Sequence, residues 1–175
     1  MIKPDSEVGK NFLIRPWSKK DFLSVRSILI ETWLVTYNFI PEVDLRIHLE
    51  NFYSIKKLNE LFKNENTHCF CVEFENNIIG WMKLFDNKVE NRFYVSSLYV
   101  LPDYQGYGIG KKLMSLAEEK AVELNHSEIW IGVMEQNINT LNWYRKLGFN
   151  FVTAEPFRMG SSEVVHLIGF KSIKS

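Results

Sequence analysis

The stretch Tyr99-Val100-Leu101-Pro102-Asp103-Tyr104-Gln105-Gly106-Tyr107-Gly108-Ile109-Gly110 constrains the fold more than any other part of the chain. An apolar strand runs up to Val100, and Pro102 ends it because proline has no N–H for a sheet ladder. Three glycines follow at alternate positions, then Lys111, Lys112 and the helix-period series Leu113, Leu116, Ala117, Ala121, Leu124. The first turn of a helix has unpaired N–H groups and the positive end of the helix dipole, so this arrangement offers an anion several donors at once. Glycine admits φ > 0 and lets a phosphate approach without meeting a Cβ. A plain turn ahead of a surface helix would use the same residues. A dinucleotide fingerprint needs Gly-x-Gly-x-x-Gly in a βαβ unit; here the third glycine comes one residue early and no such unit opens the chain. A Walker loop ends in Gly-Lys-Ser/Thr, and Gly110-Lys111-Lys112 lacks the hydroxyl.

The 175 residues suit one domain, 1–175, and at 46% hydrophobic and 24% charged the composition is that of a globular protein. The formal net charge of zero sets nucleic-acid binding aside, since that class normally has a basic excess, but it leaves room for a local basic patch. Cys69 and Cys71 are two apart in an apolar run, which on a strand puts them on one face and is not a redox or zinc spacing. His48, His68, His126 and His166 are scattered without ligand spacing, and no metal is expected. The N-terminus is polar and no run reaches transmembrane length, so the expected setting is soluble, reducing and cytoplasmic, without a membrane partner.

Read in order, Phe12 to Arg15 is a short strand ended by Pro16, and Ser18 is a candidate N-cap for a helix through Phe22, Val25, Ile28, Leu29 and Trp33, ending near Tyr37. A second helical region follows Pro41 with Leu45, Leu49 and Phe52, and another spans Ile55 to Phe62. The period then changes to two: Cys69 to Phe74, a turn at Glu75-Asn76-Asn77, Ile78 to Phe85, and Arg92 to Leu101. After the Lys111 helix, Ile129 to Val133 is a strand whose apolar run suggests a central place in the sheet. Asn137 to Leu147 is a helix stopped by Gly148, and Phe149 to Ala154 and Val164 to Phe170 complete the strands. This is an α/β layout with a central mixed sheet of about seven strands, mostly antiparallel, flanked by helices. The helical crossover between the fourth and fifth strands requires that pair to be parallel, and a ligand is expected at their C-terminal ends.

Gln105-Gly106-Tyr107-Gly108-Ile109-Gly110 resembles the Gln/Arg-x-x-Gly-x-Gly/Ala motif of the GCN5-related N-acetyltransferases (GNAT). The segment from Trp130 to Phe149 is similar to the second hallmark of that family: a strand, an Asn near a helix start, then an aromatic-Tyr-x-Lys-x-Gly-Phe ending. Thr140 stands where alanine is usual. The two motifs occur in the family's order, and the strand order agrees from Phe12 to Phe170.

The resemblance implies a GNAT fold in which two strands splay around acetyl-CoA, the cosubstrate. It implies that the backbone of Leu98, Tyr99 and Val100 pairs with the pantetheine arm. The N–H groups of Gln105, Gly106, Tyr107, Gly108, Ile109, Gly110 and Lys111 would hold the pyrophosphate, and Asn137 would meet the pantetheine from the other side. Lys111, Lys112, Arg145 and Lys146 are candidates for the nucleotide phosphates. Tyr144 occupies the family's position for the acid that protonates the leaving thiolate; a buried tyrosine that only bonds to the sulfur is the alternative. A backbone N–H near Leu98 is the natural oxyanion donor. Glu31, Ser97 and Tyr99 are candidates for the general base. Glu31, Trp33 and Tyr37 resemble the acceptor-side helix of bacterial PaiA-type spermidine/spermine N-acetyltransferases, which points to a small-molecule amine, a polyamine first. A polyamine site needs several spaced carboxylates, which Glu31, Asp44, Glu50 and Asp86 could supply. A protein N-terminus, an amino acid or a drug amine as acceptor stays open, as does a non-catalytic acetyl-CoA-binding sensor. Dimers are common in the family, so a homodimer is an expectation of the same kind.

Overall fold

The computed structural model describes residues 11–173, so most of the polar N-terminal segment read above lies outside the described residues. One sheet of seven strands has the order β1-β2-β3-β4-β5-β7-β6. The strands are β1 (Leu13–Pro16), β2 (Thr67–Phe74), β3 (Asn77–Asn87), β4 (Arg92–Val100), β5 (Glu128–Met134), β6 (Asn150–Met159) and β7 (Ser162–Ser172). The helices are α1 (Phe22–Thr36), α2 (Glu42–Tyr53), α3 (Ile55–Phe62), α4 (Ile109–Glu123) and α5 (Ile138–Lys146). All pairs are antiparallel except β4 with β5, the pair that α4 connects. The mixed sheet inferred from the sequence is therefore present.

Apolar residues of the strands point to both faces, so helices cover both. On one face α4 and α5 bury Ile109, Leu113, Ala117 and Leu141 against Phe93, Val95 and Ile131. On the other, α1 to α3 bury Val25, Leu29, Trp33, Leu45, Leu49 and Leu58 against Cys71 and Trp81. Cys69 and Cys71 do share a face, and both are buried free thiols. Burial pushes the thiols up, that of Cys71 to about 12.

The two ends of the sheet add detail to the sequence expectation. Ser18 caps the turn Lys19–Asp21 that leads into α1, in a capping box with Asp21, whose Oδ2 accepts from Ser18 N at 2.7 Å and from Ser18 Oγ at 3.0 Å. The buried Asp21 carboxylate also takes two bonds of 2.8 Å from Arg15, which ties β1 to the start of α1. The last two strands are longer than expected, Asn150–Met159 and Ser162–Ser172. The edge strand β6 is mostly exposed, so its polar residues hide it from an apolar pattern.

Two features shape the site. Val95 pairs with Leu84 and Ser97 with Lys83, which leaves Ser96 as the extra residue of a β-bulge in β4. Ser96 Oγ donates to Lys83 O at 3.2 Å. A bulge bends the strand that contains it. Here β4 pairs with β5 only at Phe93–Ile129 and Tyr94–Trp130, and beyond that point the strands part. The second feature is a clasp between α2 and the β6–β7 turn. Buried Asp44 accepts from Ser161 N at 2.8 Å, Ser161 Oγ at 3.0 Å and Ser162 Oγ at 2.6 Å. Gly160 turns this corner at φ +59°, and a Cβ there would lie 2.4 Å from Asp44 Oδ1.

Candidate active site

The gap between β4 and β5 opens into three cavities that share walls. A small one of about 130 Å³ lies in the gap itself, bordered by Leu98, Val100, Gly132, Asn137 and Tyr144. A second, of about 510 Å³, extends along the glycine turn, α4 and α5, and shares Leu98, Val100, Gln105, Thr140 and Tyr144 with the first. A third, of about 620 Å³, lies on the α1–α3 face and shares Tyr37, Ser96, Ser97, Tyr99 and Gly132 with the first. A continuous cleft thus crosses the sheet from the glycine turn to an aromatic chamber.

The strand alternation says which backbone groups reach the cleft. Leu101 N donates to Ile79 O at 2.9 Å, so Leu101 and Tyr99 direct their backbone groups toward β3. Leu98 and Val100 then direct theirs toward the cleft. Gln105 Nε2 donates to Val100 O at 2.9 Å, in agreement with this. The expectation for the backbone of Tyr99 is therefore corrected: it is spent on β3, and the Tyr99 side chain instead lines the aromatic chamber.

At the turn, Gln105 N already donates to Pro102 O at 3.1 Å, which removes it from the expected set of free donors. Lys112 N closes the first helical turn on Gly108 O at 3.1 Å. Among the described residues, no backbone hydrogen bond uses the N–H groups of Gly106, Tyr107, Gly108, Ile109, Gly110 or Lys111. Gly106 and Gly108 stand at φ +85° and +80° with nothing within 4 Å of a built Cβ. Side chains there would be strained and would fill an open cradle of free N–H groups. The residues present thus fit a phosphate-bearing group. Gly110 has another role: a Cβ there would come within 3.1 Å of Trp143, so it lets α4 and α5 pack closely.

Lys111 lines the same cavity. Lys146 does not, because it lies about 200° round the helix from Tyr144. Arg145 faces away as well, with its guanidinium 5.4 Å from the centre of the Phe151 ring. Lys112 lies 4.4 Å from the centre of the Phe12 ring, on a different hollow.

Asn137 caps α5, its Oδ1 accepting from Thr140 N at 3.4 Å, and it borders the central gap. Tyr144 is buried against Phe149 and Trp143 and borders both the gap and the glycine-turn cavity. No hydrogen bond within the described residues engages its hydroxyl. Burial, and then the nearby Tyr37, hold that phenol above its ordinary range, so it keeps its proton at neutral pH.

Trp33 and Tyr37 line the aromatic chamber, and Tyr37 Oη lies 3.3 Å from Tyr99 Oη. Ser97 lines it too. Glu31 does not: it is exposed, and two residues along α1 from Trp33 is the far side of the helix. Asp44 is engaged in the clasp, Glu50 pairs with Arg26, and Asp86 pairs with His126 and Lys88. None of these carboxylates borders the chamber, whose one acid among the described residues is Glu60. Among the chamber residues that the sequence reading of the site did not name are His48, Lys83, Phe157 and His166. Phe157 stacks on His166 with 4.0 Å between ring centres, and His48 lies 5.7 Å from Phe157. Burial pushes both imidazoles down to about 4, so they are neutral at pH 7. A sequence signal is present at Lys83, a lone cation in the strand Gly80-Trp81-Met82-Lys83-Leu84-Phe85.

Comparison with known proteins agrees with this geometry. Residues 23–149 match the family described as the acetyltransferase (GNAT) family. An uncharacterized N-acetyltransferase of Lactobacillus delbrueckii subsp. lactis is 27% identical over 151 residues, 82% of this chain and 87% of that protein. The L-amino acid N-acyltransferase MnaT of Escherichia coli is 37% identical over 65 residues, 37% of each chain. Among solved structures, the PaiA N-acetyltransferase of Thermoplasma acidophilum in complex with coenzyme A superposes with a TM-score of 0.79 at 23% identity, covering 93% of this chain and 99% of that one. The chain belongs to the GNAT family of N-acetyltransferases, whose cosubstrate is acetyl-CoA.

Proposed function

We propose that the through-sheet cleft is where this enzyme transfers acetyl to a small primary amine, with the acetyl-CoA side at the glycine turn and the amine in the aromatic chamber. The observation that carries this reading is the unpartnered hydroxyl of the buried Tyr144 side chain at the meeting of the gap and the glycine-turn cavity. Acetyl-CoA supplies an activated thioester whose sulfur leaves as a thiolate. The free N–H groups from Gly106 to Lys111, with the Lys111 ammonium, hold the phosphates. Asn137 and the cleft-facing backbone of Leu98 and Val100 hold the arm. Leu98 N–H is the donor aimed at the negative charge that develops on the acyl oxygen. Tyr144 gives its proton to the sulfur. A phenol whose ordinary pKa is about 10 matches a thiol of about 8.5 only in a site that favours the transfer, and a buried thiolate is costly enough to do so.

The chamber side accepts the amine as its free base. Glu60, the one acid there, is paired with Lys57 at 2.9 Å. Proton loss therefore falls to solvent and to hydroxyls such as those of Ser97 and Tyr99. A polyamine, the acceptor suggested by the PaiA resemblance, wants carboxylates at the spacing of its ammonium groups, and the likeness to the PaiA structure is one of fold. An amino-acid-like acceptor is favoured by the lining, and MnaT and the bovine thialysine N-epsilon-acetyltransferase have names of that class, over about a third of this chain. The test is thiol release from acetyl-CoA with an amine panel that includes spermidine, spermine and amino acids, run on the native enzyme and on Tyr144→Phe. Release that falls at least ~100-fold in kcat in the variant supports the acid role. Release unchanged in Tyr144→Phe removes it.

A further inference from the structure

The aromatic chamber holds one uncompensated charge. Of its three cations, Lys57 pairs with Glu60 at 2.9 Å and Arg158 with Glu163 at 3.1 Å. Lys83 pairs with no carboxylate among the described residues. Its ammonium donates to Tyr53 Oη at 3.2 Å and stands 5.2 Å from the centre of the Tyr53 ring. A phenol and a ring face orient an ammonium without neutralising it. Two further polar atoms of the lining are buried without a partner: His48 Nδ1 and Trp33 Nε1. The two side chains are 7% and 1% exposed. Buried polar atoms are rarely left unpaired, and both side chains line the chamber with Lys83. The Ser96 bulge gives Lys83 its place, since Lys83 is where the β3–β4 register shifts and its strand partner Ser97 also lines the chamber.

We infer that the acceptor is a primary amine that also has an anionic group, and that Lys83 receives that group. This rests on the reading of the cleft as an acetyl-transfer site and names the substrate class it takes. A polycation would bring positive charge against Lys83 with one already-paired carboxylate to offset it, whereas an anion compensates Lys83 at once. A carboxylate and a phosphate satisfy this chemistry equally, so the anion's identity is left to the experiment.

The experiment uses matched amines that differ in the anion alone: lysine against cadaverine, and O-phosphoethanolamine against ethanolamine, with spermidine and the remaining amino acids alongside. Thiol release gives kcat/KM for the native enzyme, Lys83→Gln and Lys83→Arg, and calorimetry gives acetyl-CoA affinity for each. The expected result is a preference of roughly 10–100-fold for the anionic member of at least one pair, in KM more than kcat. The preference falls toward unity in Lys83→Gln and returns in Lys83→Arg, with acetyl-CoA affinity the same in all three. The carboxylate and phosphate pairs show which anion is read. A native enzyme that prefers cadaverine, ethanolamine or spermidine overturns the inference, as does a preference that survives Lys83→Gln. Acetyl-CoA binding without turnover of any anionic amine overturns the substrate class and leaves the cofactor side standing. Failure to bind acetyl-CoA overturns both.

Discussion

Gly106, Gly108 and Asn137 lie in short stretches whose backbone geometry needs those residue types, whatever the rest of the chain does. The structure divides the glycines by cause. Gly106 and Gly108 are needed for positive φ over an open cradle, and Gly110 is needed because Trp143 lies against it. Gly106→Ala and Gly108→Ala therefore each destabilise by ~1–2 kcal/mol through left-handed strain and weaken acetyl-CoA binding. Gly110→Ala crowds Trp143 and lowers the melting temperature with a smaller effect on affinity. Thermal melts with calorimetric titration of acetyl-CoA separate the two kinds. The acceptor side was not legible in this way. His48, Lys83 and His166 come from α2, β3 and β7, and only the folded sheet brings them into one chamber. Glu31 is set apart from the chamber by the fold as well: residues two apart on a helix do not share a face, and Trp33 turns inward where Glu31 turns out.

At the scale of elements, most strands and helices followed from period and turn chemistry, as at the β2–β3 turn, where Glu75 and Asn76 both take positive φ. The bulge at Ser96 left no trace in the apolar pattern, because one extra residue in a strand reads as a strand. It nonetheless bends β4 away from β5 and opens the cleft. The clasp of Asp44 to Ser161 and Ser162 was hidden because its parts are more than a hundred residues apart. It holds α2, with His48, against the β6–β7 hairpin, with Phe157 and His166. Gly160→Ala puts a Cβ into Asp44 and a left-handed φ on alanine, so it destabilises by at least ~1–2 kcal/mol. It also raises KM for the amine more than for acetyl-CoA, because the clasp holds together two walls of the chamber, α2 and the β6–β7 hairpin, and lies away from the glycine-turn cavity. Thermal melts and steady-state kinetics measured together check this.

The whole molecule responds to pH through groups buried in the chamber. His48 and His166 titrate near 6.5 when unfolded and are pushed down to about 4 by burial in the fold. Between those values the unfolded chain binds more protons, so stability is fully present above about pH 6.5 and is lost as pH falls toward 4. At about 1.4 kcal/mol per unit, each contributes on the order of 3 kcal/mol. His68 is lowered by burial too and acts in the same direction. The carboxylate of Asp21, which Arg15 holds below the usual range, responds only at lower pH. Denaturant melts from neutral pH down to about pH 4.5 should show a falling midpoint, and His166→Gln should flatten that fall.

The most direct test of the central claim is the pH profile of acetyl transfer in the native enzyme and in Tyr144→Phe, followed by thiol release with the best amine of the panel. The free-base fraction of a lysine-type amine grows up to its pKa of about 10, and burial keeps the Tyr144 proton in place beyond the ordinary tyrosine range. The native kcat/KM should therefore climb with pH and show no decline below about pH 10, and Tyr144→Phe should follow the same rise at a level ~100-fold lower. A native profile that turns down near neutral pH, or a Tyr144→Phe profile that overlays the native one, would contradict the account.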